Sequence, residues 1–222
     1  MNTHIMPTKL PTKLKVVGGK AVAGKVGGVR QERARNRRRH LTEVVMQLVN
    51  ERGFAAVSVN EVAERASLSV GGLYRHIQSK NDLLVMVCDE INLDLLDEMK
   101  DAVAVEKGVA AKLEAALRTY WLRHWDSSAA ILVAYREYPS LSAEAKLRYR
   151  EEERRLAEFI ADLIRAGVIL EEFRAVDDRL LANEIILLSH MRALKGYAFK
   201  KYERDDVLAE LIELVFSRLR PL

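Results

Sequence analysis

Between positions 58 and 80 the chain spaces a set of side chains suited to contact with a polyanion and with base edges. Ser58 and Ser69 each precede a short apolar pattern. Val70, Gly71, Gly72, Tyr74, Arg75 and His76 follow, with Lys80 just beyond. Phenol, imidazole and ammonium groups donate to phosphate oxygens. Arginine can also reach a guanine, valine a thymine methyl, and paired glycines admit close backbone approach to a groove floor. Arg38 and Arg39 close a basic run that enters the same region. Other readings stay open: Tyr74 as a packing residue, Arg75 as solvated, and the basic run as a contact for phosphates alone.

Three short amphipathic segments must position these groups. Leu41, Val44, Val45, Leu48 and Val49 repeat at i, i+3, i+4, i+7 and i+8, which predicts a first helix. Gly53 ends it and Phe54 tucks back into the core. Ser58 caps a second helix and stands three residues before Glu61, the spacing of a capping box. Residues 67–69 make a turn with Leu68 as its plug, and Ser69 caps a third helix held by Leu73 and Ile77. Helix, turn, helix is the order of a major-groove reader. Asn81 and Asp82 open a fourth, long helix with the stripe Leu84, Val87, Ile91 and Leu95. Helical patterns then fill the chain, including 142–166 with Gly167 as its C-cap, a helix capped by Asp177 or Asp178, and a last helix ending before Pro221. The expected fold is all-α.

Charge divides the chain. Of its 222 residues, the first 40 hold 11 Lys and Arg against the single acid Glu32, while the remainder is net acidic. A basic arm beside an acidic body favours local phosphate contact and disfavours wrapping by DNA. Residues 1–30 read as a flexible basic arm, 31–80 as the helix-turn-helix domain, and 81–222 as a second helical domain. No apolar run is long enough to span a membrane, no secretory signal is evident, and the lone Cys88 excludes an intramolecular disulfide.

A second cluster lies at 120–138. Tyr120, Trp121, His124, Trp125, Tyr135 and Tyr138, with Arg136 among them and Met191 further on, suit a largely apolar ligand. Arg136 either pairs with an acid or receives an anionic head. The five histidines are scattered, and no phosphate loop or nucleophile elbow occurs, so neither an enzyme nor a cofactor is expected.

The segments SVNEVAERASLS (58–69), GGLYRH (71–76) and KNDLL (80–84) resemble the TetR family of bacterial transcriptional regulators. Two positions depart from the family pattern: Ser67 where glycine is common, with left-handed strain expected, and Ile77 where phenylalanine is common. The resemblance implies a cytoplasmic homodimeric repressor on a palindromic operator in double-stranded DNA, released by a small-molecule inducer. It implies DNA contact by Ser58, through its backbone N–H, and by Tyr74, His76 and Lys80. It makes 81–222 a ligand-binding and dimerisation domain, in which the wide apolar faces of the helices near 178–199 and 204–219 serve dimerisation or close the chain's own core. The segment AYREYPSLS (134–142) is similar to regulators of fatty-acid and acyl-CoA catabolism, which implies an acyl-CoA inducer. The competing reading is a nonspecific architectural DNA-binding protein.

Overall fold

The apolar stripe from Leu41 to Val49 is buried, on helix α1 (Lys20–Arg52). The computed structural model describes residues 20–221, with side chains from Arg35 onward. α1 starts well before Leu41, so residues 20–30, expected as flexible arm, are helical. A helix nucleated further along extends readily through a stretch free of proline. Residues 1–19 of the expected arm lie outside the described residues. Gly53, at φ 81, stops α1, and Phe54, in a 3₁₀ turn, packs back into the core.

Helix α2 (Val59–Arg65) starts on Ser58, whose Oγ accepts the Glu61 N–H at 3.2 Å. Only this half of the expected capping box forms, because the Glu61 carboxylate pairs with Arg52. α2 ends in a Schellman turn. Leu68 N–H donates to Ala63 O at 2.8 Å and Ser67 N–H to Glu64 O at 3.0 Å. Ser67 takes the left-handed position of that turn, at φ 55, where the resembling family commonly carries glycine. Ser67→Gly should therefore raise the unfolding free energy by about 1 kcal/mol. Urea titration would show a higher midpoint at unchanged slope.

Ser69 caps α3 (Val70–Leu73), its Oγ accepting the Gly72 N–H at 3.0 Å. α3 is one turn long and continues as hydrogen-bonded turn through residues 74–76. Leu73 and Ile77 are buried, so isoleucine fills its place. α4 (Lys80–Asn92) starts on Ser79 rather than at Asn81 and Asp82. The Asp82 carboxylate returns to the Ser79 N–H at 2.9 Å in a full capping box.

The expected single long fourth helix is broken. Asp94 stands at φ 59, and α5 (Leu95–Ala104) restarts the chain. Arg123 satisfies the carbonyl freed at the break, donating to Leu93 O at 3.0 Å. The same arginine pairs with Glu98 on α5. The apolar core divides at this point too. Ile91 belongs to a cluster with the helix-turn-helix core, Ile131, Ala134 and Ala145. Leu95 belongs to a second cluster with Leu113, Ile160, Ile185 and Leu211.

The second cluster is supplied chiefly by α5, α6 (Val109–Asp126), α8 (Ala143–Ile169), α9 (Asp178–Ser189) and α11 (Arg204–Leu219). α7 (Ser128–Glu137) packs on α4, and α10 (Met191–Lys195) packs on α7. No strand occurs among the described residues, and the fold is all-α as expected. Among the described residues, 38–221 cluster as one compact unit and 20–37 belong to another. The helix expected over 178–199 bends at His190, between α9 and α10.

Gly167 is not the C-cap of α8. The helix runs on to Ile169, and Glu171 supplies the left-handed residue at φ 59. Gly167 instead makes room for the buried Phe173. A Cβ there would lie 2.1 Å from the ring. Gly167→Ala should cost about 3 kcal/mol of stability through this overlap. The double variant with Phe173→Ala should lose no more than Phe173→Ala alone, since the methyl then enters vacated space.

Candidate nucleic-acid interface and interior cleft

The exposed side of the helix-turn-helix collects five of the expected contact residues. Val70, Gly71, Tyr74, Arg75 and His76 are all exposed, and Gly71 has no neighbour within 4 Å of where a Cβ would stand. Gly72 faces the other way. It is buried, and a Cβ would meet Ser69 Oγ at 3.0 Å. Its smallness serves the cap, not the approach to a groove. Ser58 and Ser69 spend their side-chain oxygens on caps.

Three expected phosphate contacts are already engaged. Lys80 Nζ donates to Ala55 O at 2.8 Å and lies 4.9 Å from the Phe54 ring centroid. Arg38 pairs with Asp89 at 2.8 Å, and Arg39 approaches Glu90 at 3.5 Å. Their partners are tertiary, so local spacing gave no sign of them. Asp89 also receives Arg148 of α8 at 3.4 Å, so one carboxylate joins α1, α4 and α8. The three groups border a cleft of about 560 Å³ that reaches Tyr74 and His76. Each pair is exposed enough to contribute little to stability. Asp89→Asn should therefore change the unfolding free energy by less than about 1 kcal/mol. It should steepen the salt dependence of DNA binding as Arg38 becomes available to phosphate. An unchanged slope would show that Arg38 stays withdrawn.

The aromatic cluster separates into two sets. Tyr135 and Tyr138 face a cleft of about 330 Å³ shared with Tyr149, Arg150 and Glu153 of α8. Behind Tyr135, its hydroxyl shares a 2.9 Å hydrogen bond with His190 Nδ1. His190 stacks on His124 at 5.2 Å, and His124 on Tyr120 at 4.0 Å. His124 Nδ1 lies 2.9 Å from Tyr120 O, which a neutral ring protonated at Nδ1 satisfies by donating. Burial holds both imidazoles uncharged, with the proximity of His190 adding to the effect at His124. It pushes His124 down to about 3 and His190 down to about 4. Burial likewise pushes Tyr120 and Tyr149 up, the latter beyond the range of a free phenol, and raises Glu153.

The other set is structural. Trp121 packs between α6, α9 and α11. Trp125 stacks under Arg192 at 4.5 Å and meets Phe199 edge-on, while Met191 packs on the second cluster. Arg136 is exposed and does not line the cleft, which takes Tyr135 and Tyr138 instead. Sequence reading missed Tyr149, Arg150 and Glu153. They lie within one turn and a half of α8, at i, i+1 and i+4, in a highly charged stretch outside the aromatic cluster.

With this geometry established, comparison with known proteins is decisive. Residues 41–87 match the model for bacterial regulatory proteins of the tetR family, and residues 106–193 match a tetracyclin repressor-like C-terminal domain. The chain belongs to the TetR family. It is a TetR-family transcriptional regulator with a helix-turn-helix DNA-binding region. It is 26% identical over 167 residues to the transcriptional regulator HbdR of Aromatoleum sp. (strain CIB), spanning 73% of this chain and 71% of HbdR. It is 29% identical over 162 residues to the repressor KstR2 of Rhodococcus jostii (strain RHA1), spanning 72% of this chain and 79% of KstR2. The TetR-family fold is shared with AibR, solved with isovaleryl coenzyme A and operator DNA. The TM-score is 0.66 at 20% identity, covering 81% of this chain and 98% of AibR. No helix among the described residues is long and apolar enough to cross a membrane.

Proposed function

We propose that the protein is a dimeric repressor that binds a palindromic operator and is released by a largely apolar effector of the acyl-CoA class. The observation that carries this reading is the placement of α8. One turn of that helix supplies Arg148 to Asp89, and the next residues, Tyr149, Arg150 and Glu153, wall the interior cleft. A ligand that shifts α8 acts on the same carboxylate that holds Arg38, at the entry to the DNA reader. Arg150 Nε donates to the Tyr138 hydroxyl at 2.7 Å, and Lys146 lies over the Tyr138 ring, so cations flank the cleft for an anionic end of the ligand. The repressors and acyl-CoA complex among its relatives support the same assignment.

Dimerisation is assigned to α9 and α11, where Leu180, Leu187 and Leu214 lie exposed on helices whose other faces are buried. The two reading heads would then meet half-sites roughly 34–36 Å apart, with residues 1–30 adding phosphate contact. The test is DNA selection from a random pool, then gel shifts at physiological salt with and without isovaleryl-CoA and longer acyl-CoA thioesters. A selected palindrome released by one of the thioesters supports the reading. Equal affinity for selected and random DNA, with a steep salt slope, would make the protein a nonspecific binder instead.

A further inference from the structure

Glu153 is a half-buried carboxyl at an aromatic cleft, and no hydrogen bond or ion pair to it occurs among the described residues. Tyr135, Tyr138 and Tyr149 border the same space, and the Tyr135 hydroxyl is anchored to His190 at 2.9 Å. A ligand that fills about 330 Å³ here must remove the remaining water from Glu153. If the ligand is purely apolar, that carboxyl is left without any partner, which is costly. Resting on the effector reading above, we propose that the cleft selects effectors whose apolar body carries a hydroxyl group, bound between Glu153 and Tyr135.

A hydroxyl is the group that fits. It donates to a carboxylate and accepts from a protonated carboxyl, so it satisfies Glu153 in either state. It can meet the Tyr135 hydroxyl in the same way. The desolvated site favours an uncharged partner, since burial already raises Glu153 toward its neutral form. An ammonium group would need a fully ionised Glu153 and would sit near Lys146 and Arg150, both over the Tyr138 ring. Charge therefore argues against a cationic effector. A site that meets a ligand hydroxyl with a polar group otherwise left unpaired discriminates strongly against the analogue that lacks it.

The experiment is calorimetric titration of the full chain with octanoyl-CoA, a set of its monohydroxylated counterparts and the corresponding ω-amino thioester, alongside operator release. At least one hydroxylated thioester should bind on the order of 10- to 100-fold tighter than octanoyl-CoA. Glu153→Leu should abolish that preference, so that the hydroxylated thioesters and octanoyl-CoA bind alike. Glu153→Gln, which keeps an acceptor, should retain part of it. Circular dichroism confirms that each variant is folded. If hydroxylated and plain thioesters bind equally and both release operator, the hydroxyl inference falls and the acyl-CoA reading stands. Tighter binding of the amine would overturn the inference in favour of a counter-ion role for Glu153. Binding of none of these thioesters would overturn both readings.

Discussion

Lowering the pH from 7 to 5 should cost the folded protein about 4 kcal/mol, roughly 2 from each of two buried histidines. His124 and His190 are held neutral, down to about 3 and about 4, against an ordinary value of 6.5. In the window between 6.5 and about 4, the unfolded chain takes up a proton at each imidazole and the folded chain does not. Stability is therefore full above the unfolded value and is lost as pH falls. Glu153, raised by burial, works in the opposite sense and offsets part of the loss. Urea midpoints at the two pH values provide the measurement. His124→Gln and His190→Gln should each remove about half of the pH dependence. Equal midpoints for the unsubstituted protein would show that the two rings are solvated.

Tyr74→Ala should weaken binding to a selected operator by about 10²- to 10⁴-fold with the melting temperature unchanged. The side chain is 51% exposed and stands between the open Gly71 surface and the exposed Arg75 and His76. Losing one contact of this kind costs about 1–3 kcal/mol per head, and in the proposed dimer two heads double it. Lys80→Ala makes the contrast. Its ammonium is bonded to Ala55 O and lies by Phe54, so stability should fall while operator affinity changes less. A change below threefold for Tyr74→Ala would place the tyrosine outside the interface.

What the sequence revealed was local chemistry. Ser58 and Ser69 were legible as caps because a cap depends on three or four consecutive residues. The strain at Ser67 was legible only through the family pattern, which has glycine at the position that the Schellman turn makes left-handed. The break at Leu93 and Asp94 was not legible. The apolar stripe runs unbroken through Ile91 and Leu95, and the carbonyl the break exposes is satisfied by Arg123, 30 positions away. Gly167 was misread for a similar reason, since its smallness answers Phe173 and not the helix end. Likewise Arg38 and Lys80 looked available because Asp89 and the Ala55 carbonyl are brought to them only by folding. In the cleft, Tyr135 and Tyr138 were visible in the aromatic cluster, while the α8 half gave no local sign of itself.

The interruption between α4 and α5 divides what would be a rigid rod into a lever and its mounting. α4 has 13 residues, which makes it about 19 Å long. Its inner end stops where the core itself changes hands, between Ile91 and Leu95. A swing of about 10° about Asp94 would carry the Lys80 end through about 3 Å. α5 need not leave its own cluster for that swing. In a pair of heads the two displacements combine, so a small rotation could put both out of phase with the turn of the double helix. Arg123 holds Leu93 O on one side of that break and Glu98 on the other, so the same side chain spans both helices.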